Sequence, residues 1–170
     1  MLDPNAPLAV QNLNSLSPSH RAQLGELRVS EPQEFFGGSF AESLEAWQNG
    51  PSHQVLGLCF LVEDQPVGMT LFKRPPQSPD WVSANAASIH GLKIATPWQG
   101  RGWGKTAFRL AIDRLAIQWP SAKTLMLAVD AENAAALKVY KGFGMTDSGP
   151  VFKGNHGLEH RMSVSLSQAS

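Results

Sequence analysis

The feature that most restricts the fold is a glycine-rich segment, QGRGWGKT at residues 99–106, between an apolar β-prone run and a helix-like pattern. Glycine destabilises regular structure by roughly 0.5–1 kcal/mol relative to alanine. Three glycines in five positions therefore predict a turn with positive φ, close packing, or a ligand that approaches the backbone. Apolar residues recur at spacings of three and four within residues 105–119, as in an amphipathic helix. Because a helix N-terminus presents unpaired N–H groups to anions, the segment predicts a phosphate-bearing ligand.

Length and composition predict one domain over residues 1–170. The chain is 42% hydrophobic and 16% charged, which is typical of one globular core. Its 14 basic and 14 acidic side chains cancel, so we expect no nucleic-acid partner and no membrane partner, and any anion site must be local. The chain has neither a long apolar run nor the basic start of a secretory leader, so we expect a cytoplasmic protein.

Cysteine and histidine usage predicts no metal site. Cys59 is the one cysteine and lies in the apolar run VLGLCFLVED, which excludes an internal disulfide. The five histidines show neither the HExxH pattern nor another metal-ligand spacing.

The remaining pattern predicts a mixed α/β fold. Strands are expected at residues 8–13, 55–63, 66–73, 87–94 and 123–129, with a last hairpin around residues 149–153 and 159–166. Helices are expected between residues 17 and 48, interrupted at Glu31-Pro32, then at residues 105–119 and 133–141. Residues 123–129 are continuously apolar, which predicts a strand buried on both faces. Asp64-Gln65 is expected to form a hairpin turn, and Gly142 is expected to end the last of these helices.

Two nucleotide-binding motifs fit the glycine segment poorly. Gly104-Lys105-Thr106 ends like a P-loop, but G-x-x-x-x-G-K-[ST] requires glycine at the position of Gln99. A dinucleotide fold requires G-x-G-x-x-G, whereas this segment reads G-x-G-x-G. Both folds also need more βα units than the chain offers after this point.

Two longer segments together resemble the GNAT superfamily of acyl-CoA-dependent N-acetyltransferases. They are LKIATPWQGRGWGKTAFRLAIDRL, residues 92–115, and LAVDAENAAALKVYKGFGM, residues 127–145. The resemblance covers about residues 55–166. It implies a GNAT-like fold with a central, mostly antiparallel sheet that is splayed at the acyl-CoA strand and flanked by helices.

The first segment carries the phosphate signature Q/R-x-x-G-x-G/A of that family, which Gln99, Gly102 and Gly104 fill. The second segment matches a strand followed by an asparagine, an alanine-rich short helix and Y-x-x-x-G-F, with Asn133 and Tyr140 at the matching positions and a slightly shorter interval.

The resemblance implies a site for acetyl-CoA as co-substrate. In such proteins the pantetheine arm pairs with the backbone of the splayed strand, here at Leu92 and Ile94, and the diphosphate lies on the amides of residues 100–105. The residues that the resemblance assigns to cofactor binding are Leu92, Ile94, Gln99, Gly100, Arg101, Gly102, Trp103, Gly104, Lys105, Asn133 and Tyr140. Arg101 and Lys105 would add charge or remain solvated, Trp98 and Trp103 are expected to pack at the rim, and Asn133 would cap a helix, contact the arm, or both.

The resemblance also implies transfer of an acetyl group to a primary amine by direct attack in a ternary complex. Tyr140, the one tyrosine of the chain, is the candidate proton donor to the leaving sulfur, the alternative being a core aromatic. Many relatives place a glutamate base in the strand that here reads ASIHGLKI. Alternation would put Ser88, His90, Leu92 and Ile94 on one face, so His90, with an ordinary pKa of about 6.5, is the candidate base; a water relay or an acceptor bound as the free amine are the alternatives.

The acceptor is expected to be a small-molecule or peptide amine, and the protein a monomer or homodimer. The segments that select acceptors in this fold, here roughly residues 35–47 and 149–160, carry mixed charges and specify no acceptor. An inactive GNAT-like module that binds acyl-CoA is the alternative function, and a P-loop nucleotide-binding protein is a more distant one.

Overall fold

The structure is a computed structural model that describes residues 3, 5–150, 152–154 and 156–169. The strands are β1 (Leu8–Asn12), β2 (Val55–Val62), β3 (Gln65–Lys73), β4 (Ala86–Ile94), β5 (Thr124–Asp130), β6 (Thr146–Asp147), β7 (Phe152–Gly154) and β8 (Gly157–Ser165). The helices are α1 (Pro18–Glu26), α2 (Glu31–Gly37), α3 (Phe40–Asn49), α4 (Trp103–Gln118), α5 (Ala134–Gly142) and α6 (Leu166–Ala169).

One sheet organises these elements, with the strands in the order β1-β2-β3-β4-β5-β8-β6 and β7 paired to β8. The described pairs are antiparallel except for β4 with β5, which run parallel. Helices cover both faces: Phe108 and Ile112 of α4 are buried in one core, and Leu24 of α1 and Phe40 of α3 are buried in the other. The predicted mixed α/β fold, mostly antiparallel and flanked by helices, is confirmed.

Serine caps explain the three N-terminal helices. Ser17, Ser30 and Ser39 each accept a hydrogen bond from a backbone N–H in the first turn of α1, α2 and α3, respectively. Capping boxes complete the starts of α2 and α3. Glu31-Pro32 therefore begins a helix rather than only interrupting one, because proline is compatible with the first turn, where the N–H has no helical partner.

A bulge at Gly91 changes the faces of β4, so the prediction that Ser88, His90, Leu92 and Ile94 share one face is wrong. Gly91 has φ +61°, and the pairing register with β3 shifts between Met69 and Leu71. One extra residue in a strand moves every later side chain to the opposite face. Residues 87, 89, 92 and 94 consequently pack toward the α4 core, whereas Lys93 lies over the ring of Phe40 in the other core.

The bulge also accompanies the opening of the sheet. β4 pairs with β5 only at its first three residues, Ala86, Ala87 and Ser88. Because a bulge bends its strand and increases the local twist, the C-terminal half of β4 leaves β5, which remains paired with β8 along its whole length. The splayed sheet that the sequence resemblance implied is present.

Three local predictions need correction. Strand β5 alternates between buried and half-exposed residues, because only its α4 face is covered and the other face lines an opening. The hairpin turn lies at Glu63-Asp64, which both have positive φ, one residue earlier than expected. Gly144, with φ +82°, adopts the left-handed conformation after α5, whereas Gly142 is still helical.

Candidate active site

A cleft of about 1400 Å³ opens where β4 and β5 separate. One end is bounded by the glycine segment, the start of α4 and α5. The other end, which we call the acceptor end, is bounded by the corner between α2 and α3 (residues 36–38), the loop residues 79–81, and β7 and β8. The cleft therefore joins the two segments that carry the sequence motifs to the segments that were expected to select an acceptor.

The glycine segment forms a loop of bare amides at this cleft. Gly100 and Gly102 have φ +80° and +76°, and Gly102 is the N-cap of α4 without a side-chain cap. Within the described part of the chain, the N–H groups of residues 100–105 donate to no protein acceptor. A Cβ on Gly104 would meet no heavy atom within 4 Å. This loop is therefore a concave donor surface at a helix N-terminus, of the kind that suits a phosphate group.

Gln99 fixes the loop to its surroundings. Its Nε2 atom donates to the carbonyl oxygen of Ile94 at 2.7 Å and to Oε1 of Gln33 at 3.0 Å. The first residue of the phosphate signature thus ties the loop to the end of β4 and to α2.

The splayed half of β4 presents backbone groups to the opening. Ile94 lies opposite Gly68 of β3, and the next residue, Ala95, donates its N–H to Val67 at 2.8 Å. Since bonded and non-bonded pairs alternate along an antiparallel ladder, Ile94 directs its own N–H and C=O away from β3. Leu92 and Ile94 both line the cleft, as the resemblance implied.

The charged residues of the loop differ in position. Lys105 lines the cleft, as does Trp103. Arg101 is not part of the cleft lining; its guanidinium lies 5.3 Å from the ring centroids of Trp98 and of Trp103, a cation–π arrangement. Of the two candidate cations, Lys105 is therefore the better placed for a diphosphate.

Helix α5 brings Tyr140 and Asn133 to the cleft. Asn133 caps the helix by accepting the N–H of Ala136 at 3.3 Å. The Tyr140 ring packs 5.6 Å from the ring of Phe108, and among the described residues its hydroxyl has no hydrogen-bond partner. Burial raises the pKa of Tyr140 to about 12. The phenol is therefore protonated at neutral pH, as a proton donor must be.

His90 is half-buried in the cleft lining. Its Nε2 atom lies 2.6 Å from Oγ of Ser88 and shares one hydrogen bond with it. Burial, with a smaller contribution from the Lys73 ammonium, lowers the pKa of His90 to about 4. The imidazole is therefore neutral throughout the physiological range, but it is a weak base.

Several lining residues were not singled out from the sequence. Lys93 lies beneath the corner between α2 and α3, and Glu159 and Arg161 of β8 form an ion pair at 3.4 Å. The Arg161 guanidinium also lies 4.8 Å from the ring of Trp81. A glycine inside a strand pattern indicates a bulge. Gly91 was therefore the local sign that the alternation of side chains along β4 would be interrupted, so that Lys93 lies on the face of the sheet opposite to the one that strict alternation predicts.

The described residues contain no group of three or more His, Cys, Asp or Glu side chains placed to hold a metal ion. No helix in the described ranges combines the length and the apolar character that crossing a membrane requires.

Solved structures share this fold at low sequence identity. A spermidine N-acetyltransferase from Vibrio cholerae, in complex with CoA and spermine, gives a TM-score of 0.71 at 16% identity, covering 95% of this chain and 97% of that one. The aminoglycoside acetyltransferase AAC(6')-Ib, in complex with coenzyme A, gives 0.74 at 15% identity, covering 95% and 96%. The ribosomal-protein-S18-alanine N-acetyltransferase from Escherichia coli gives 0.61 at 17% identity, covering 94% of each chain. No curated protein matches the sequence significantly.

The family is established by a sequence match rather than by the fold alone. The model of the acetyltransferase (GNAT) family matches residues 21–145, most of the chain. The chain belongs to the GNAT family of acetyltransferases. The predicted family and the predicted enzyme class, an acyltransferase, are confirmed by this match.

Proposed function

We propose that the protein is an N-acetyltransferase that moves an acetyl group from acetyl-CoA to a primary amine by direct attack in a ternary complex. The observation that carries this proposal is the shared cleft, which holds a loop of bare amides at one end of the opening and a phenol without a partner among the described residues beside the splayed strand. This arrangement can bind a diphosphate, extend an amide-bearing arm along β4, and supply a proton near the end of that arm.

The residues present fit coenzyme A. The amides of residues 100–105 would hold the diphosphate with help from Lys105, and the space beside Gly104 is open, because a Cβ there would meet no heavy atom of the described residues within 4 Å. The backbone of Leu92 and Ile94 would pair with the pantetheine arm as an added strand does. Asn133 lines the same cleft and can contact that arm while it caps α5. When bound, acetyl-CoA would supply the activated acetyl group as a thioester.

Two groups would assist the transfer itself. The N–H of Ile94 faces the opening and would stabilise the negative charge that develops on the acetyl oxygen. Tyr140 would give its hydroxyl proton to the departing sulfur: with a pKa of about 12 the phenol carries that proton at neutral pH, and the same shift makes it a weaker acid than an ordinary tyrosine.

The base is less defined by the geometry. We propose His90 as the group that receives the amine proton, with its ring oriented by Ser88. Its pKa of about 4 makes that proton transfer unfavourable from an ordinary ammonium. The two alternatives for this proton are a water relay and an acceptor that binds as the free amine.

The acceptor end of the cleft combines opposite charges, with Asp80 and Glu159 against Lys153 and Arg161. Among the similar structures, the V. cholerae spermidine N-acetyltransferase holds spermine together with CoA, and the E. coli enzyme is named for a ribosomal-protein alanine. We propose a small-molecule or peptide amine as acceptor here, too. One domain over residues 1–170, a monomeric or homodimeric state, no nucleic-acid partner and a cytoplasmic location stay predictions of the sequence.

Release of free thiol from acetyl-CoA tests the proposal, measured across a panel of polyamines, aminoglycosides, amino acids and peptides. Thermal unfolding with CoA, and separately with ATP and Mg²⁺, identifies the bound nucleotide. Thiol release with at least one amine, together with stabilisation by CoA, would support an acetyltransferase. Stabilisation by CoA without turnover on any amine would favour the inactive acyl-CoA-binding module, and stabilisation by ATP with Mg²⁺ but not by CoA would reject the proposed acyl-CoA site.

A further inference from the structure

Lys93 is a buried cation at the acceptor end of the cleft that the proposed chemistry does not use. Its side chain is 9% exposed. The Nζ atom donates to the carbonyl oxygen of Gly91 at 2.8 Å, to Oγ of Ser43 at 2.8 Å and to the carbonyl oxygen of Gly37 at 3.4 Å. These partners belong to the β4 bulge, to α3 and to the end of α2, so one ammonium joins three separate segments.

The joined segments form one wall of the acceptor end. Gly37 and Gly38 line the cleft at the corner between α2 and α3, and Gly91 lines it at the bulge. The two backbones approach closely, because a Cβ built on Gly91 would lie 3.2 Å from the Gly37 carbonyl oxygen and 2.9 Å from Nζ of Lys93. No described carboxylate lies within 4.0 Å of this ammonium, so it is held by neutral oxygen atoms rather than by an ion pair.

We propose that Lys93 is a positioning residue for the acceptor: its ammonium holds the α2–α3 corner against the Gly91 bulge and so sets the shape of the acceptor end. This inference rests on the proposed acetyl transfer for its kinetic consequence, but its structural consequence can be measured without any acceptor. Lys93 does not contact the glycine segment, whose anchor is Gln99, so CoA binding is expected to be independent of it.

The protonation of Lys93 links this contact to pH. Burial lowers the pKa of Lys93 to about 8, while Glu42 of α3 and Glu34 of α2 oppose that shift. The other titratable group on its strand, His90, is neutral at these pH values. An ammonium donates three hydrogen bonds and a neutral amine at most two. The contact should therefore be complete below about pH 8 and weaken as the pH rises through that value.

Hydrogen exchange of Lys93→Met tests the structural part in the whole protein without acceptor. We expect the protection factors of amides in residues 37–43 to fall by at least about tenfold, because the variant loses three charged hydrogen bonds and the loss of one is enough for a tenfold change. Lys123→Met is the matched control, because the Lys123 ammonium donates only to the nearby Pro120 carbonyl among the described residues and the residue lies outside the cleft. If Lys93→Met does not fold, Ser43→Ala removes one partner of the ammonium and should give a smaller loss of protection in the same segment.

Kinetics with the best amine of the panel test the functional part. For Lys93→Met we expect KM for the amine to rise about tenfold, with Kd for CoA changed less than about threefold. Lys93→Arg should restore much of the protection and should remove the loss of protection that the wild-type protein shows between pH 7 and 9. Unchanged protection at residues 37–43 in both Lys93→Met and Ser43→Ala would overturn the inference, as would an unchanged KM for the amine. Failure to bind CoA in the wild-type protein would instead reject the proposed function.

Discussion

A substitution at Gly104 can test the proposed diphosphate site without destabilising the fold. It is the second residue of α4, its φ is not positive, and a Cβ there would meet no heavy atom within 4 Å. In the free protein, Gly104→Leu should therefore be stabilising by up to about 1 kcal/mol, because leucine has a higher helix propensity than glycine. For a chain of this size that change corresponds to a rise in Tm of about 2–4 °C.

The same variant should bind CoA more weakly than the wild-type protein does. The family's phosphate signature admits only glycine or alanine at this position, so a leucine side chain would extend over the bare amides that line the cleft, and a bound phosphate would lose at least one charge-assisted hydrogen bond. Such a bond is worth about 1.5–3 kcal/mol, which corresponds to a rise in Kd of about 10- to 150-fold. Calorimetric titration with CoA and thermal unfolding of the free variant measure the two effects separately.

Gly142→Leu is the matched control. Gly142 is also helical, a Cβ there also meets nothing within 4 Å, and the residue lies outside the cleft lining. It should stabilise the free protein by a similar amount and leave Kd for CoA unchanged. A Gly104→Leu protein that is as stable as predicted and binds CoA as tightly as wild type would refute the placement of the diphosphate.

Three further changes address proton transfer and stability. Tyr140→Phe should lower kcat by about 10²–10⁴ with little change in Kd for CoA, measured by thiol release; a loss of less than about threefold would reject the phenol as the proton donor. His90→Ala should lower kcat by about 10² if the imidazole receives the amine proton. It should not change the pH profile between pH 6 and 9, because the pKa of His90 is about 4. An unaltered kcat would indicate that water receives the proton or that the acceptor binds as the free amine. The Gly149 amide, and then His160, lower the pKa of Asp147 in the folded protein. The Asp147 carboxylate therefore stabilises the fold at pH values above its unfolded pKa. That contribution is lost as the pH falls through the pKa of the folded protein. Asp147→Asn should accordingly lower Tm at pH 7 and have a much smaller effect near pH 2, and an equal effect at both values would contradict this assignment.

Much of the fold could be predicted because the determining interactions are local. The amphipathic pattern of α4, the serine before α1 and the asparagine before α5 each act within one or two helical turns, so their consequences are visible in the chain itself. The glycine segment was informative for the same reason, since positive φ at Gly100 and Gly102 is a property of single residues.

The wrong predictions concern side chains whose environment depends on elements that are distant in the sequence. The continuous apolar run of β5 suggested two covered faces, but only the residues on the α4 face are buried, and those on the opposite face are half-buried or exposed. Alternation along β4 was broken by a single residue at Gly91, which reversed the faces of Leu92 and Ile94 relative to His90. One inserted residue moves every later side chain of a strand to the opposite face. The faces of β4 could therefore not be assigned without knowing its pairing register with β3.

The amino-acid sequence by itself determined the family, the glycine loop ahead of α4 and the position of the one tyrosine, because these depend on residue identity and short spacing. Only the tertiary structure decided that Arg101 stacks on two tryptophans, that His90 has a depressed pKa, and that Lys93 joins α2 and α3 to the bulge. The physical reason is that burial and long-range hydrogen bonding depend on which segments meet. These contacts between segments are determined by the packing of the whole sheet and not by any single segment of the chain.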